Sequence, residues 1–151
     1  MGGSLNRGAG RGDEAALRGL SDWMTKGNEL APVTALLGIR PIKIGEGSAV
    51  LTMKGGAAHH NAHGTLHGGL LCALADVAMG VALMSTLHEE GFATLHQEIS
   101  HIRSVVESEL RAEVEVAQRG RRIGHVRCTI FNENRDAVAE ASSVCMITKN
   151  L

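Results

Sequence analysis

Leu66 to Leu87 reads LHGGLLCALADVAMGVALMSTL. Every position but a few is apolar or small, and no apolar-polar alternation interrupts it, so the spacing predicts one long helix from His67 to Leu87. A helix that is apolar all round is normally buried inside a protein. One residue breaks the pattern. Between Lys54 and Glu89 the only Asp, Glu, Lys or Arg is Asp76. An ionised carboxylate in an apolar setting is costly unless it is partnered or protonated. A chain that keeps one there either satisfies it structurally or uses it.

The stretch is long enough to cross a bilayer, for which roughly 20 apolar residues suffice. Asp76 in mid-span, the abundance of Gly and Ala, the lack of a second hydrophobic span and the absence of flanking Lys/Arg clusters all argue against a membrane span.

Working outward, the period changes from helical to two. Thr94–Arg103 reads as a strand. Leu110, Ala112, Val114 and Val116 alternate with Arg111, Glu113 and Glu115, the pattern of a half-exposed strand. Arg119-Gly120-Arg121 is a turn, Arg122–Phe131 the return strand, Asn132-Glu133-Asn134 another turn, and Ala137–Thr148 the last strand. On the N-terminal side, Ile39–Ile44 and Ser48–Lys54 are two strands around Gly45-Glu46-Gly47. A short helix fits Pro32–Leu37, with Pro32 in its first turn and Gly38 at C′. Asp13–Lys26 carries Ala16, Leu17, Leu20, Trp23 and Met24 at helical spacing. Residues 1–12 read as a flexible Gly-rich arm without an apolar core, hence no secretory signal, and residues 13–151 as a single domain. Hairpin-length connections imply an antiparallel sheet. The expected class is therefore α+β, a sheet curling around one long helix, with a second subunit available to cover what the sheet leaves open.

Composition narrows the function classes. A length of 151 residues allows one domain with a sizeable core. Charged residues make up 21% and the net charge is −1, which gives no electrostatic case for nucleic acid or an anionic membrane surface. With 2% aromatic residues and no Tyr, base-stacking platforms are nearly excluded. Cys72, Cys128 and Cys145 form no CxxC pair and read as reduced, packed thiols of a cytoplasmic protein. Cys72 lies one helical turn before Asp76 but has no activating base in sequence.

The loop before the long helix is Asn61-Ala62-His63-Gly64-Thr65-Leu66-His67-Gly68-Gly69. Glycines at a helix start let a ligand approach the backbone, where free N–H groups favour negative charge. That is also the geometry of an oxyanion hole, although a tight loop needing Gly for sterics gives the same pattern. Gly68 and Asp76 are eight residues apart, about 12 Å along one helix. They cannot both touch one small reacting group. If both are functional, the start of one helix must meet the middle of another, and a twofold dimer with two composite sites is the economical solution. His59, His63 and His67 recur every four residues, a spacing that ligates metal on a helix, but Gly64 and the loop composition argue against a helix there.

Asn61-x-x-Gly64-x-x-His67-Gly68-Gly69 followed by Leu74-Ala75-Asp76-x-Ala78-Met79-Gly80 resembles the hotdog-fold acyl-CoA thioesterases of the phenylacetate-degradation (PaaI) type. The resemblance runs from about Pro32 to Thr148 and includes Thr94-Leu95 and the Arg119–Arg122 turn. It implies a helix wrapped by an antiparallel sheet, a homodimer with a continuous sheet, often a homotetramer as a dimer of dimers, and hydrolysis of an acyl-CoA thioester. It also implies roles. Asp76 would be the general base or nucleophile, the Gly68 N–H would polarise the thioester carbonyl with Asn61 assisting, and Thr94 would help hold the lytic water. His67 would sit beside the thioester, and Gly69 would line the substrate. Arg121 and Arg122 would meet the CoA phosphates, which Arg suits; a solvated basic turn is the plain alternative. No cofactor is implied, since CoA is part of the substrate, and no metal. The chain departs from the family at Ala62 and Ser104, where Pro is usual, and at His101, where an aromatic is common. Two other readings remain: a hotdog hydratase or dehydratase pairing His67 with Asp76, and a non-catalytic acyl-CoA-binding protein.

Overall fold

The computed structural model describes residues 32–149. The N-terminal arm and the Asp13–Lys26 helix expected from sequence lie outside the described residues. Along the chain run α1 (Pro32–Leu37), β1 (Arg40–Gly45), β2 (Ser48–Gly55), a 3₁₀ turn (Ala57–His59), α2 (Gly68–Met84), β3 (Glu90–His101), β4 (Ser108–Arg119), β5 (Ile123–Phe131) and β6 (Ala137–Lys149). The six strands form one antiparallel sheet in the order β1-β2-β4-β5-β6-β3. The edge strands are β1, which precedes the long helix, and β3, which follows it; the β1–β2, β4–β5 and β5–β6 pairings close by short turns.

α2 lies across one face and touches all six strands. Leu70, Leu71, Leu74, Ala75, Ala78, Met79, Ala82 and Leu83 are buried against Leu51 and Met53 of β2, Leu110 and Ala112 of β4, Val126 and Ile130 of β5, and Ala141 and Cys145 of β6. Each large side chain so buried contributes about 1.5–3 kcal/mol, which is why the continuous apolar run becomes the centre of the fold. The alternation read in β4 is the observed one: Leu110, Ala112 and Val114 face the helix and are buried. Gly38 takes φ +65° after α1, the left-handed C′ conformation that Gly adopts without a Cβ clash.

One expectation is corrected. The helix ends at Met84, not Leu87. Ser85 Oγ donates to the Ala82 carbonyl and Thr86 Oγ1 to the Leu83 carbonyl, both at 2.7 Å. Hydroxyls that bond the last carbonyls compete with the next helical turn. Ser85 Oγ also accepts from the Gly47 N–H at 2.8 Å, tying the β1–β2 turn to this end of the helix. As expected from the sequence, the sheet of one chain covers the helix only in part. Gly69, Asp76 and Met84 are exposed, and Cys72, Ala73, Val77 and Gly80 are half-buried. The sheet covers one side only; the open side carries small residues and the single acid.

Candidate active site

β3 runs alongside α2 in the opposite direction, and each helical turn meets one strand residue. The Phe92 ring packs over Gly80, Thr94 reaches Asp76, Gln97 reaches the Cys72 backbone, and the His101 ring lies over Gly68. The alternation of a regular strand would not do this. Thr94 pairs with Cys145 and His96 with Val144, leaving Leu95 as an unpaired extra residue. A bulge of this kind shifts the facing of everything beyond it by one. Thr94 and Gln97, three residues apart, thereby both face the helix.

Asp76 stands on the open face of α2, exposed in the single chain. This differs from the burial suggested by its apolar neighbours in sequence: the carboxylate sits on the helix side that the sheet leaves uncovered. Thr94 Oγ1 donates to Asp76 Oδ1 at 3.5 Å. Behind Thr94, the buried Cys145 Sγ donates to Thr94 Oγ1 at 3.9 Å. Cys128 is buried in the core, and burial pushes its thiol up to about 12, so it has no nucleophilic role.

Gly68 is the first residue of α2, and His67 is its N-cap. The His67 Nδ1 accepts from the Gly69 N–H at 2.9 Å, which leaves the ring proton on Nε2. Gly69 is thus engaged within the chain, while the Gly68 N–H carries no hydrogen bond among the described residues. First-turn amides have no intrahelical acceptor, so Gly68 presents a free donor. A Cβ at Gly68 would lie 3.0 Å from two atoms of the His101 ring, tighter than an ordinary contact.

Asn61 is bound into its own loop. Its Oδ1 accepts from the His63 N–H at 2.9 Å and the Thr65 N–H at 3.3 Å, and its Nδ2 donates to Thr65 Oγ1 at 3.0 Å. Gly64 turns the loop with φ +75°. The three histidines at four-residue spacing do not converge: His59 Nδ1 accepts from the Gly56 N–H at 3.2 Å, and His67 Nδ1 caps the helix.

A groove of about 360 Å³ opens beside the start of α2, lined by Leu37, Leu70, Ala73, His59, His60 and His67. A larger hollow of about 900 Å³ lies on the sheet face away from α2, lined by charged and hydroxyl side chains such as Glu98, Glu115, Arg127, Glu140 and Ser142. It contains none of the candidate residues. The groove, next to the free amide, has the better claim to substrate despite its smaller size.

The arginine turn divides. Arg119 pairs with Glu90 Oε1 at 2.8 Å and anchors the start of β3. Arg121 and Arg122 are exposed, with no ion pair among the described residues. A Cβ at Gly124 would come within 2.9 Å of Leu83, so this turn sits beside the C-terminal end of α2, remote from Gly68 of its own chain.

In the structure, then, Thr94 stands with Asp76, and His67 and Gly69 stand with Gly68. The two groups are separated along one helix. Sequence reading missed Gln97, because the bulge that turns it toward α2 leaves no mark in the hydrophobic pattern.

The model of the thioesterase superfamily matches residues 63–139, a span that includes Gly68, Asp76 and Thr94. The chain belongs to the thioesterase superfamily. Among solved structures it is similar to the conserved protein PA5202 from Pseudomonas aeruginosa, at 30% identity over 78% of this chain and 94% of that one, with a TM-score of 0.73. It is similar to the PaaI protein from the phenylacetic acid degradation operon of E. coli, at 26% identity, 89% and 92% coverage and a TM-score of 0.75. At 22% identity, the thioesterase HI1161 from Haemophilus influenzae shares the fold, with a TM-score of 0.79 over 87% and 92% of the two chains. A comparison with the curated proteins finds no match. This thioesterase-superfamily chain has the α+β hotdog fold and is of the PaaI type. Among the described residues, no helix is long and apolar enough to cross a membrane.

Proposed function

We propose that the protein hydrolyses an acyl- or aroyl-CoA thioester to the free acid and CoA, in sites shared across a homodimer. The observation that carries this reading is the placement of Gly68 and Asp76. The helix presents a free N–H at its start and an exposed carboxylate held by a hydroxyl in its middle. These are the two functions thioester hydrolysis needs, about 12 Å apart.

Pairing solves the separation. The open stripe of α2 and the free edge of β3 are adjacent, and an unpaired edge strand is a template for another chain. Joining β3 to β3 would continue the sheet and bring the helices together through Gly69 and Ala73, whose small size permits close approach. Asp76 of the partner subunit would then face Gly68. A further pairing of dimers is part of the same proposal.

In the water-mediated form, water attacks the thioester carbon and its proton passes to Asp76. The carbonyl oxygen becomes an oxyanion held by the Gly68 N–H. Collapse breaks the C–S bond, and the CoA thiolate recovers the proton from Asp76, giving acid and thiol. In the covalent form, Asp76 attacks directly, expels the thiolate, and water opens the mixed anhydride. Thr94 orients the carboxylate in either form. Asn61 assists by fixing the loop that precedes Gly68; His67 acts as the cap that takes the Gly69 N–H and leaves Gly68 available, and it lines the groove. Arg121 and Arg122 meet the CoA phosphates. The chemistry uses a base and an oxyanion donor and calls for no cofactor. A cytoplasmic location accords with free thiols and a CoA ester.

Release of free thiol from a panel of short, long and aromatic acyl-CoAs tests the reading. Only hydrolysis liberates CoA; a hydratase changes the acyl group without thiol release, and a binding protein changes nothing.

A further inference from the structure

Gln97 is the one uncharged polar side chain that β3 inserts against the middle of α2 without belonging to the proposed catalytic set. Its Nε2 donates to the Cys72 carbonyl at 3.0 Å, and the side chain is half-buried between strand and helix. Cys72 is four residues before Asp76, so the same carbonyl accepts the Asp76 N–H in the helix ladder. A carbonyl has two lone pairs, and here one goes to each. The strand thus holds the turn of helix that carries Asp76 at the backbone, while Thr94 holds the carboxylate.

Both contacts depend on the bulge at Leu95, which puts Thr94 and Gln97 on the same side of β3. An apolar residue of Gln length would fill this space equally well. A buried polar group costs desolvation unless bonded, so packing alone does not favour Gln here. The Asp76–Thr94 contact is long at 3.5 Å, at the limit of a hydrogen bond. A small change in helix-to-strand distance makes or breaks it.

We propose that Gln97 is a positioning residue: its amide fixes the height of the Asp76 turn over β3 and so keeps the carboxylate within reach of Thr94. The proposal rests on the thioester hydrolase reading for its kinetic consequence and on geometry alone for its structural one. Gln97 touches no reacting atom.

The test uses the full-length chain with Gln97→Glu, which keeps the shape and loses the donor as a carboxylate, and Gln97→Met, which keeps the length without charge or polarity. Misplacement of a catalytic group by about 1 Å costs up to about a hundredfold in rate. For acyl-CoA thiol release, kcat falls at least about tenfold in both variants while KM stays within about threefold, the mark of an interaction expressed in the chemical step. Crystal structures of the variants show Asp76 Oδ1 and Thr94 Oγ1 beyond hydrogen-bond distance. Gln97→Met with the kcat of the unaltered protein, or with the Asp76–Thr94 contact intact, overturns the proposal. Thiol release by the unaltered protein tests the hydrolase reading separately, and the crystallographic comparison decides the positioning role independently of it.

Discussion

Thr94 Oγ1 donates to Asp76 Oδ1 across the gap between the edge strand and the central helix, 18 residues apart in sequence. It is the one side-chain hydrogen bond that the described residues give to Asp76. Its consequence is direct. A hydrogen bond to a charged group contributes about 1.5–3 kcal/mol at ordinary length, and this one, exposed and 3.5 Å long, lies at the low end, roughly tenfold in rate if expressed in the transition state. Thr94→Val lowers kcat by about that factor with KM little changed, and Thr94→Ser restores most of it. Equal kcat in Thr94→Val and the unaltered protein, measured by thiol release, contradicts the role.

A Cβ at Gly68 would press on the His101 ring at 3.0 Å, so the ring must give by a few tenths of an ångström to admit one. Gly68→Ala keeps the backbone N–H yet lowers both melting temperature and thiol release, since ring or helix start must shift. Adding His101→Ala recovers the melting temperature. A double variant no more stable than Gly68→Ala alone shows that the ring is not the obstacle.

The fold was legible where one rule decides. An all-apolar run of helical length, flanked by segments of period two, leaves few architectures, and β2 and β4 to β6 fall close to where alternation places them. The site was legible in residue types but not in their contacts. Asp76 read as buried because its sequence neighbours are apolar, whereas exposure is set by which helix face the sheet covers. Asn61 read as an assistant to Gly68, and the contacts its side chain makes in closing its own loop left no mark in the sequence pattern. Gln97 was invisible because a single extra residue, Leu95, inverts the facing of the strand beyond it.

With Arg119 committed to Glu90, Arg121 and Arg122 are the cations of that turn left for phosphate. Replacing both by Ala raises KM for CoA esters several-fold more than for the matching pantetheine esters, which lack the nucleotide phosphates. An equal effect on the two substrate series rejects phosphate binding.

The same turn predicts a pH dependence. The His88 backbone N–H, with the Arg119 guanidinium second, holds the Glu90 carboxyl down from 4.5 to about 2. A depressed carboxylate adds stability above its unfolded value and loses it as pH falls through its folded one. The melting-temperature gap between the unaltered protein and Glu90→Gln is therefore full at pH 7 and closes between about pH 4.5 and 2. The pair is solvent-exposed, so the gap is small and shrinks with salt. A gap independent of pH across that window refutes the pairing as its source.

The central claim is that Asp76 of one subunit works on a carbonyl held by the Gly68 amide of another. It is tested by mixing two inactive variants, Asp76→Asn and Asn61→Ala, after confirmed subunit exchange. Half of the dimers in an equal mixture are hybrids, and each hybrid has one intact composite site, so about a quarter of the unaltered activity returns. Each subunit of a hybrid still carries a defect, so sites built within single chains give no recovery at all.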